Sequence, residues 1–141
     1  MTLTKLLLLP LVLHVFMTMF VGSRSLRART RSVVSGETKL SSIATNSSAW
    51  PEHVRQWGNN FDNQFDTPLF WYGVCALIVA LHMEDTVFVV LSWLFLASRV
   101  AHSYVHVTSN RVPLRMRVFL FGFTSLVMMW MWFAIRLFVL S

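Results

Sequence analysis

Three long apolar runs constrain this chain more than anything else in it: Leu3 to Val21 (LTKLLLLPLVLHVFMTMFV), Leu69 to Val107, and Val118 to Leu140 (VFLFGFTSLVMMWMWFAIRLFVL). A helix needs roughly 20 apolar residues to cross the hydrocarbon core of a bilayer. The first and last runs match that length. The middle run is too long for one crossing and is interrupted by His82-Met83-Glu84-Asp85, which reads as a tight turn between two helices. A soluble fold has no place for this much oil: 55% of the 141 residues are hydrophobic and 13% are charged, more than a small domain buries in one core. The expected architecture is an all-α integral membrane protein. It is one domain over 1–141, a bundle of four transmembrane helices at about 3–22, 55–82, 85–109 and 117–140, with a loop over 23–54.

The first run competes with a signal peptide, since Lys5 precedes a leucine run. Its length, the absence of a small-residue cleavage motif and the arginines that follow at once favour a retained helix. Pro10 inside it is a candidate kink. The net charge of +6 is concentrated beside the apolar runs. Arg24, Arg27, Arg29, Arg31 and Lys39 lie in the first loop, Arg55 at its end, and Arg111, Arg115 and Arg117 in the third. Four spans put these two loops on one side. Excess Lys and Arg mark the cytoplasmic side, so both termini are expected on the non-cytoplasmic side. No basic-aromatic motif accompanies the charge, so nucleic acid is not an expected partner. The lone Cys75 excludes an intrachain disulfide and reads as a buried structural thiol.

Polar residues crowd the front of the second helix, in RQWGNNFDNQFDTPLF. At 100° per residue, Asn59, Asp62, Asn63 and Asp66 lie about 40°, −20°, 80° and 20° from Arg55, a face roughly 100° wide. On the third helix Arg99, His102, Ser103, His106 and Asn110 share a face of similar width. The hairpin sets the two stripes side by side at the cytoplasmic face, with Asp62 and Asp66 as candidate partners for Arg99. An arginine so deep in an apolar run needs a partner, water or a ligand. Hydrogen-bonded helix packing explains the stripes as readily as a binding site does. His102 and His106, at i and i+4, have metal-ligand spacing but no third ligand in pattern, and no metal site is expected. Arg and Asn donors together with Asp acceptors suit a small zwitterionic anion. An arginine beside a thiol on such a ligand would favour the thiolate.

RQWGNNFDNQFDTPLFWYGV (Arg55–Val74) and WLFLASRVAHSYVHVTSNRV (Trp93–Val112), together with the four apolar helices, resemble the MAPEG family, the membrane-associated proteins in eicosanoid and glutathione metabolism, in a bacterial-type form. The resemblance covers nearly the whole chain. It implies a homotrimer of four-helix subunits in the bacterial inner membrane, with glutathione between subunits as co-substrate and a lipophilic small molecule as second substrate. Arg55, Asn59 or Asn63, Asp66, Arg99, His102 and His106 would contact glutathione, and Arg111 or Arg115 would activate its thiol. Two registers fit the family's Arg–Asn–acid spacing, one through Arg55, Asn59 and Asp62, the other through Asn63 and Asp66. The function implied is glutathione-dependent conjugation or reduction of lipophilic electrophiles. The alternative is a non-catalytic membrane protein of the same fold that binds a lipid or a protein.

Overall fold

A computed structural model describes residues 1–140, and among these the regular structure is helical. Helix α1 spans Leu3–Val34, followed by a single short turn of helix, α2 (Leu40–Ile43), and a 3-10 turn at Ser47–Ala49. Then come α3 (Glu52–Asp62), α4 (Thr67–Ala80), α5 (Thr86–Val107) and α6 (Val112–Phe138).

The first helix is longer than the expected 3–22. It runs through Pro10 and on to Val34, so most of the arginines assigned to a loop are helical. The segment after Gly22 explains this: RSLRARTRSVV contains no Gly or Pro, and Leu, Ala and Arg all favour helix. Gly36, with φ 77°, supplies the left-handed residue that ends it. The fourth helix likewise starts before 117, at Val112, because Pro113 suits the first turn and Leu114, Arg115 and Met116 continue it.

The second helix, expected as one piece over 55–82, is two. Pro68 has no N–H to offer the Gln64 carbonyl, and its ring would clash with that carbonyl in a continuous helix. The chain therefore stops at Asp62, turns through residues 63–66, and restarts with Pro68 in the first turn of α4. Three helices, α1, α5 and α6, are long and apolar enough to cross a membrane. The 14-residue α4 falls short of that length by itself.

The turn at residues 81–85 lies where the sequence places it. His82 takes φ 52°, and the Met83 N–H reaches the Ile78 carbonyl at 2.9 Å. Asp85 then ties this end of the bundle together. One carboxylate oxygen caps α5 at Phe88 N, 3.0 Å away. The other accepts from Trp132 Nε1 at 2.8 Å and Arg136 Nη1 at 2.5 Å, both on α6. Next to it, the Thr4 hydroxyl donates to Glu84 at 2.9 Å. The Glu84 carboxyl is held below its ordinary range, first by its own backbone N–H and then by Thr4.

Trp71, Val74, Cys75 and Ile78 of α4 meet Leu7 of α1, Phe88 and Phe95 of α5, and Met129 and Phe133 of α6. Lipid is as apolar as this core, so burial alone does not hold the helices together; close packing and hydrogen bonds do. Trp71 Nε1 donates to Ser92 Oγ at 3.1 Å, joining α4 to α5. Gly122 lets α6 lie directly on α5: a Cβ there would stand 1.9 Å from Ser98 Oγ. Large apolar side chains such as Phe16, Met19 and Phe20 on α1 and Phe121, Met128 and Met131 on α6 point outward, as lipid or subunit contact requires.

Candidate functional site

The far end of the bundle from Asp85 gathers the basic residues. There α1, the linker before α3, α3, the end of α5 and the start of α6 line an open cavity of about 370 Å³. Helix α3 presents Glu52, Arg55, Asn59 and Asp62 to it, a row stepped by three and four residues along one face. Arg29 reaches it from α1, its guanidinium 5.8 Å from the centre of the Trp50 ring, which also lines the wall. From the other side come His106, Asn110 and Arg115.

Arg115 is aimed by its neighbours. Its Nη1 donates to Asn110 Oδ1 at 2.8 Å, and Asn110 takes φ 47°, a left-handed conformation that asparagine tolerates. His102 Nδ1 lies 3.3 Å from the Arg115 carbonyl. Arg115 also lines a second pocket, of about 200 Å³, with Asn63, His102, Val112, Met116 and Phe119. The polar cavity and this mostly apolar pocket thus share one residue, Arg115.

Among the described residues the ion pairs within 4.0 Å are His53–Glu37 and Arg136–Asp85, both elsewhere. The three arginines and two carboxylates of the cavity are therefore not spent on one another. Such a wall offers cationic donors for carboxylates and acceptors for an ammonium.

Of the residues singled out in the sequence, Arg55, Asn59, His106 and Arg115 line the polar cavity. Asn63 and His102 line the pocket beside it. Arg99 lies behind both, 3% exposed, with Nη2 donating to the Asn63 carbonyl at 2.6 Å. No carboxylate of the described residues comes within 4.0 Å of Arg99, so neither Asp62 nor Asp66 pairs with it. Asp66 and Arg111 sit at the exposed N-terminal caps of α4 and α6 and line neither cavity.

The two stripes do not face each other as the helical wheel implies. The row of α3 that meets α5 is Gln56, Asn60 and, one turn on, Gln64, none of which the wheel selected. Gln56 Nε2 donates to the His106 carbonyl at 2.6 Å, and Asn60 Nδ2 donates to Ser103 Oγ at 2.8 Å. Gln64 Nε2 donates to the Asn60 carbonyl at 2.8 Å and to its side-chain oxygen at 3.2 Å. Arg55, Asn59, Asp62 and Asp66 stay exposed. The signal for this face is amides spaced by four, Gln56, Asn60 and Gln64, beside a more highly charged neighbouring face. Arg29 was missed because the segment carrying it reads as a loop until Gly36 is recognised as the helix stop.

Among the described residues no group of three His, Cys, Asp or Glu is placed to hold a metal ion. No curated protein and no solved structure matches the chain. The model of the MAPEG family matches residues 7–135, from the first buried leucine of α1 almost to the end of α6. With its membrane-capable helices and its basic-end cavity, the chain belongs to the MAPEG family.

Proposed function

We propose that this protein is a membrane-bound, glutathione-dependent transferase or peroxidase acting on lipophilic electrophiles. The observation that carries the reading is Arg115, shared between a polar cavity and an apolar pocket. Glutathione fits the polar side chemically, having two carboxylates for Arg29 and Arg55 and an ammonium for Asp62 or Glu52. Its thiol supplies the nucleophile. Arg115 would favour the thiolate, the proton leaving to water through the open cavity. Val112, Met116 and Phe119 would hold the electrophile beside Arg115, where the thiolate sulfur either forms a carbon–sulfur bond as the leaving group departs, or takes one oxygen of a lipid hydroperoxide, releasing the alcohol, after which a second glutathione converts the resulting sulfenic acid to disulfide and water.

The same reading covers the assembly. Helix α4, about 21 Å long, crosses only together with the α3 segment before it, giving four spans. The outward apolar faces of α1 and α6 supply surface for a homotrimer and for lipid. Positive-inside placement puts the cavity at the cytoplasmic face of a bacterial inner membrane.

The test is glutathione binding to detergent-purified protein by calorimetry, followed by conjugation of a lipophilic electrophile. Arg55→Ala should weaken binding. Arg115→Ala should spare most of the binding and lower kcat/KM by about 10- to 100-fold near pH 6.5, the effect of raising the bound thiol pKa by roughly one to two units. Arg111→Ala should change neither. No binding to the unaltered protein would sink the reading and leave the non-catalytic alternative.

A further inference from the structure

The stretch from Arg24 to Arg31 carries four arginines on one helix, and the helix divides them between two faces. Taking Arg24 as zero, Arg27 lies at about −60° and Arg31 at about −20°. The buried residues of the same stretch, Val21, Ser25 and Ser32, lie at about 60°, 100° and 80°, and Arg29, which lines the polar cavity, at about 140°. Arg24, Arg27 and Arg31 therefore point away from the bundle, and all three are exposed. The apolar half of α1 continues the same outward line. Leu13, Phe16 and Phe20 stand at about −20°, −80° and −40° and are exposed as well. One stripe thus changes from large apolar side chains to guanidiniums within a single turn, between Phe20 and Arg24.

That change marks a level in the membrane. Head groups occupy about 5–8 Å on each side of the hydrocarbon core. Val21 ends the apolar run, and Arg24 lies about 4.5 Å and Arg27 about 9 Å beyond it along the helix axis. Arg31, about 15 Å beyond, stands within a screening length of the head-group layer. A guanidinium offers a phosphate a fork of donors. Among the described residues none of these three guanidiniums donates a hydrogen bond or has a carboxylate within 4.0 Å. Arg24 rests on Trp57, 5.3 Å from the ring centre, and tryptophan is a side chain suited to the membrane surface.

A second copy of the chain is poorly equipped to cover this face. The sequence has six side-chain carboxylates. Glu84 and Asp85 are at the opposite end of the bundle, Glu52 and Asp62 line the polar cavity, and Glu37 is held by Ser32 and His53. Asp66 alone is left to meet three arginines of a neighbour. A bilayer containing anionic lipid presents phosphates in excess at this level.

We propose that Arg24, Arg27 and Arg31 form a docking surface for the head groups of anionic phospholipid, on the face of α1 opposite the one that carries Arg29 to the cavity.

Native mass spectrometry of the detergent-purified protein, given equal amounts of dioleoyl phosphatidylglycerol and dioleoyl phosphatidylcholine, reads which lipid is bound. Phosphatidylglycerol should be preferred by at least about tenfold, and Arg27→Gln should lower that preference about fivefold. Arg29→Gln removes the same charge from the other face and should change the preference by less than about twofold. Arg27→Lys, which keeps the charge, should retain most of it. Equal binding of the two lipids overturns the proposal. So does a loss in Arg29→Gln equal to that in Arg27→Gln, which reduces the effect to net charge. Arg27→Cys supplies one exposed thiol, because Cys75 is buried. A disulfide between copies at that position, formed in vesicles of phosphatidylcholine and phosphatidylglycerol, also overturns the proposal by showing that a subunit covers the face.

Discussion

Replacing Asp85 with alanine should loosen the end of the bundle opposite the polar cavity, and the cost can be assembled from its three bonds. The cap on Phe88 N is worth about 1 kcal/mol. The half-buried Trp132 Nε1 loses its acceptor, about 1 kcal/mol more. The Arg136 pair is close, but its side chains are 30% and 22% exposed, so solvent screening leaves it worth about 1 kcal/mol. The sum, about 3 kcal/mol, corresponds to a loss of roughly 10 °C in Tm for a chain of this size. Asp85→Asn keeps a single acceptor oxygen, enough for the cap on Phe88 N but not for Trp132 as well, and gives up the charge, so it should cost about 2 kcal/mol. Thermal unfolding of detergent-purified variants, followed by tryptophan fluorescence, reads both. If Asp85→Asn costs as much as Asp85→Ala, the cap contributes nothing and the three-bond reasoning is wrong. If neither variant shifts Tm, apolar packing alone fixes the α4–α5 turn.

Gly122→Ala should destabilise the α5–α6 pair by about 1–3 kcal/mol, because the added Cβ would meet Ser98 Oγ at 1.9 Å and Ser98 Cβ at 2.9 Å. Ser98→Gly in the same chain should recover most of that loss, measured as Tm. A double-mutant cycle over Asn60→Ala and Ser103→Ala should give a coupling of about 1 kcal/mol in chemical unfolding, since their side chains share one buried hydrogen bond. The Glu84 pKa is depressed below its ordinary value of 4.5, so its stabilising contribution is complete above that value and is lost as pH falls through the lower folded value. Thr4→Val removes one cause of the depression and should make the decline of Tm between about pH 5 and pH 3 shallower; an unchanged acid slope would contradict the assignment.

The membrane character and the α4–α5 turn were legible because both rest on local signals, apolar length and a short acidic interruption. The limits of the first and second helices were not, for opposite reasons. Arginine-rich sequence after Gly22 reads as loop by its charge, yet its propensities are helical and only Gly36 stops it. Polar sequence before Pro68 reads as one helix by its periodicity, yet a single missing N–H divides it. The site followed the same division. Arg55, Asn59 and His106 could be picked out by residue type and spacing, and Arg115 only as one of two arginines implied by the family resemblance. Which amide row would face α5 depended on how α3 rolls against its neighbours, and no wheel drawn for one isolated helix contains that rotation. Arg111 and Arg115 look equivalent in sequence. They separate only because one sits ahead of the first turn of α6 and the other one turn inside it.

Helix α1, 32 residues long, makes a rod of about 48 Å, well beyond the roughly 30 Å of a hydrocarbon core. Its bilayer-embedded part and Arg29, at the cavity wall, are therefore points on one stiff lever. With its fulcrum near His14, a change of tilt of about 5° carries Arg29 about 2 Å. Transmembrane helices take up differences in bilayer thickness by tilting. A change in bilayer thickness that tilted α1 against the rest of the bundle would therefore move Arg29 at the cavity wall, and lipid chain length would enter as a variable of the site.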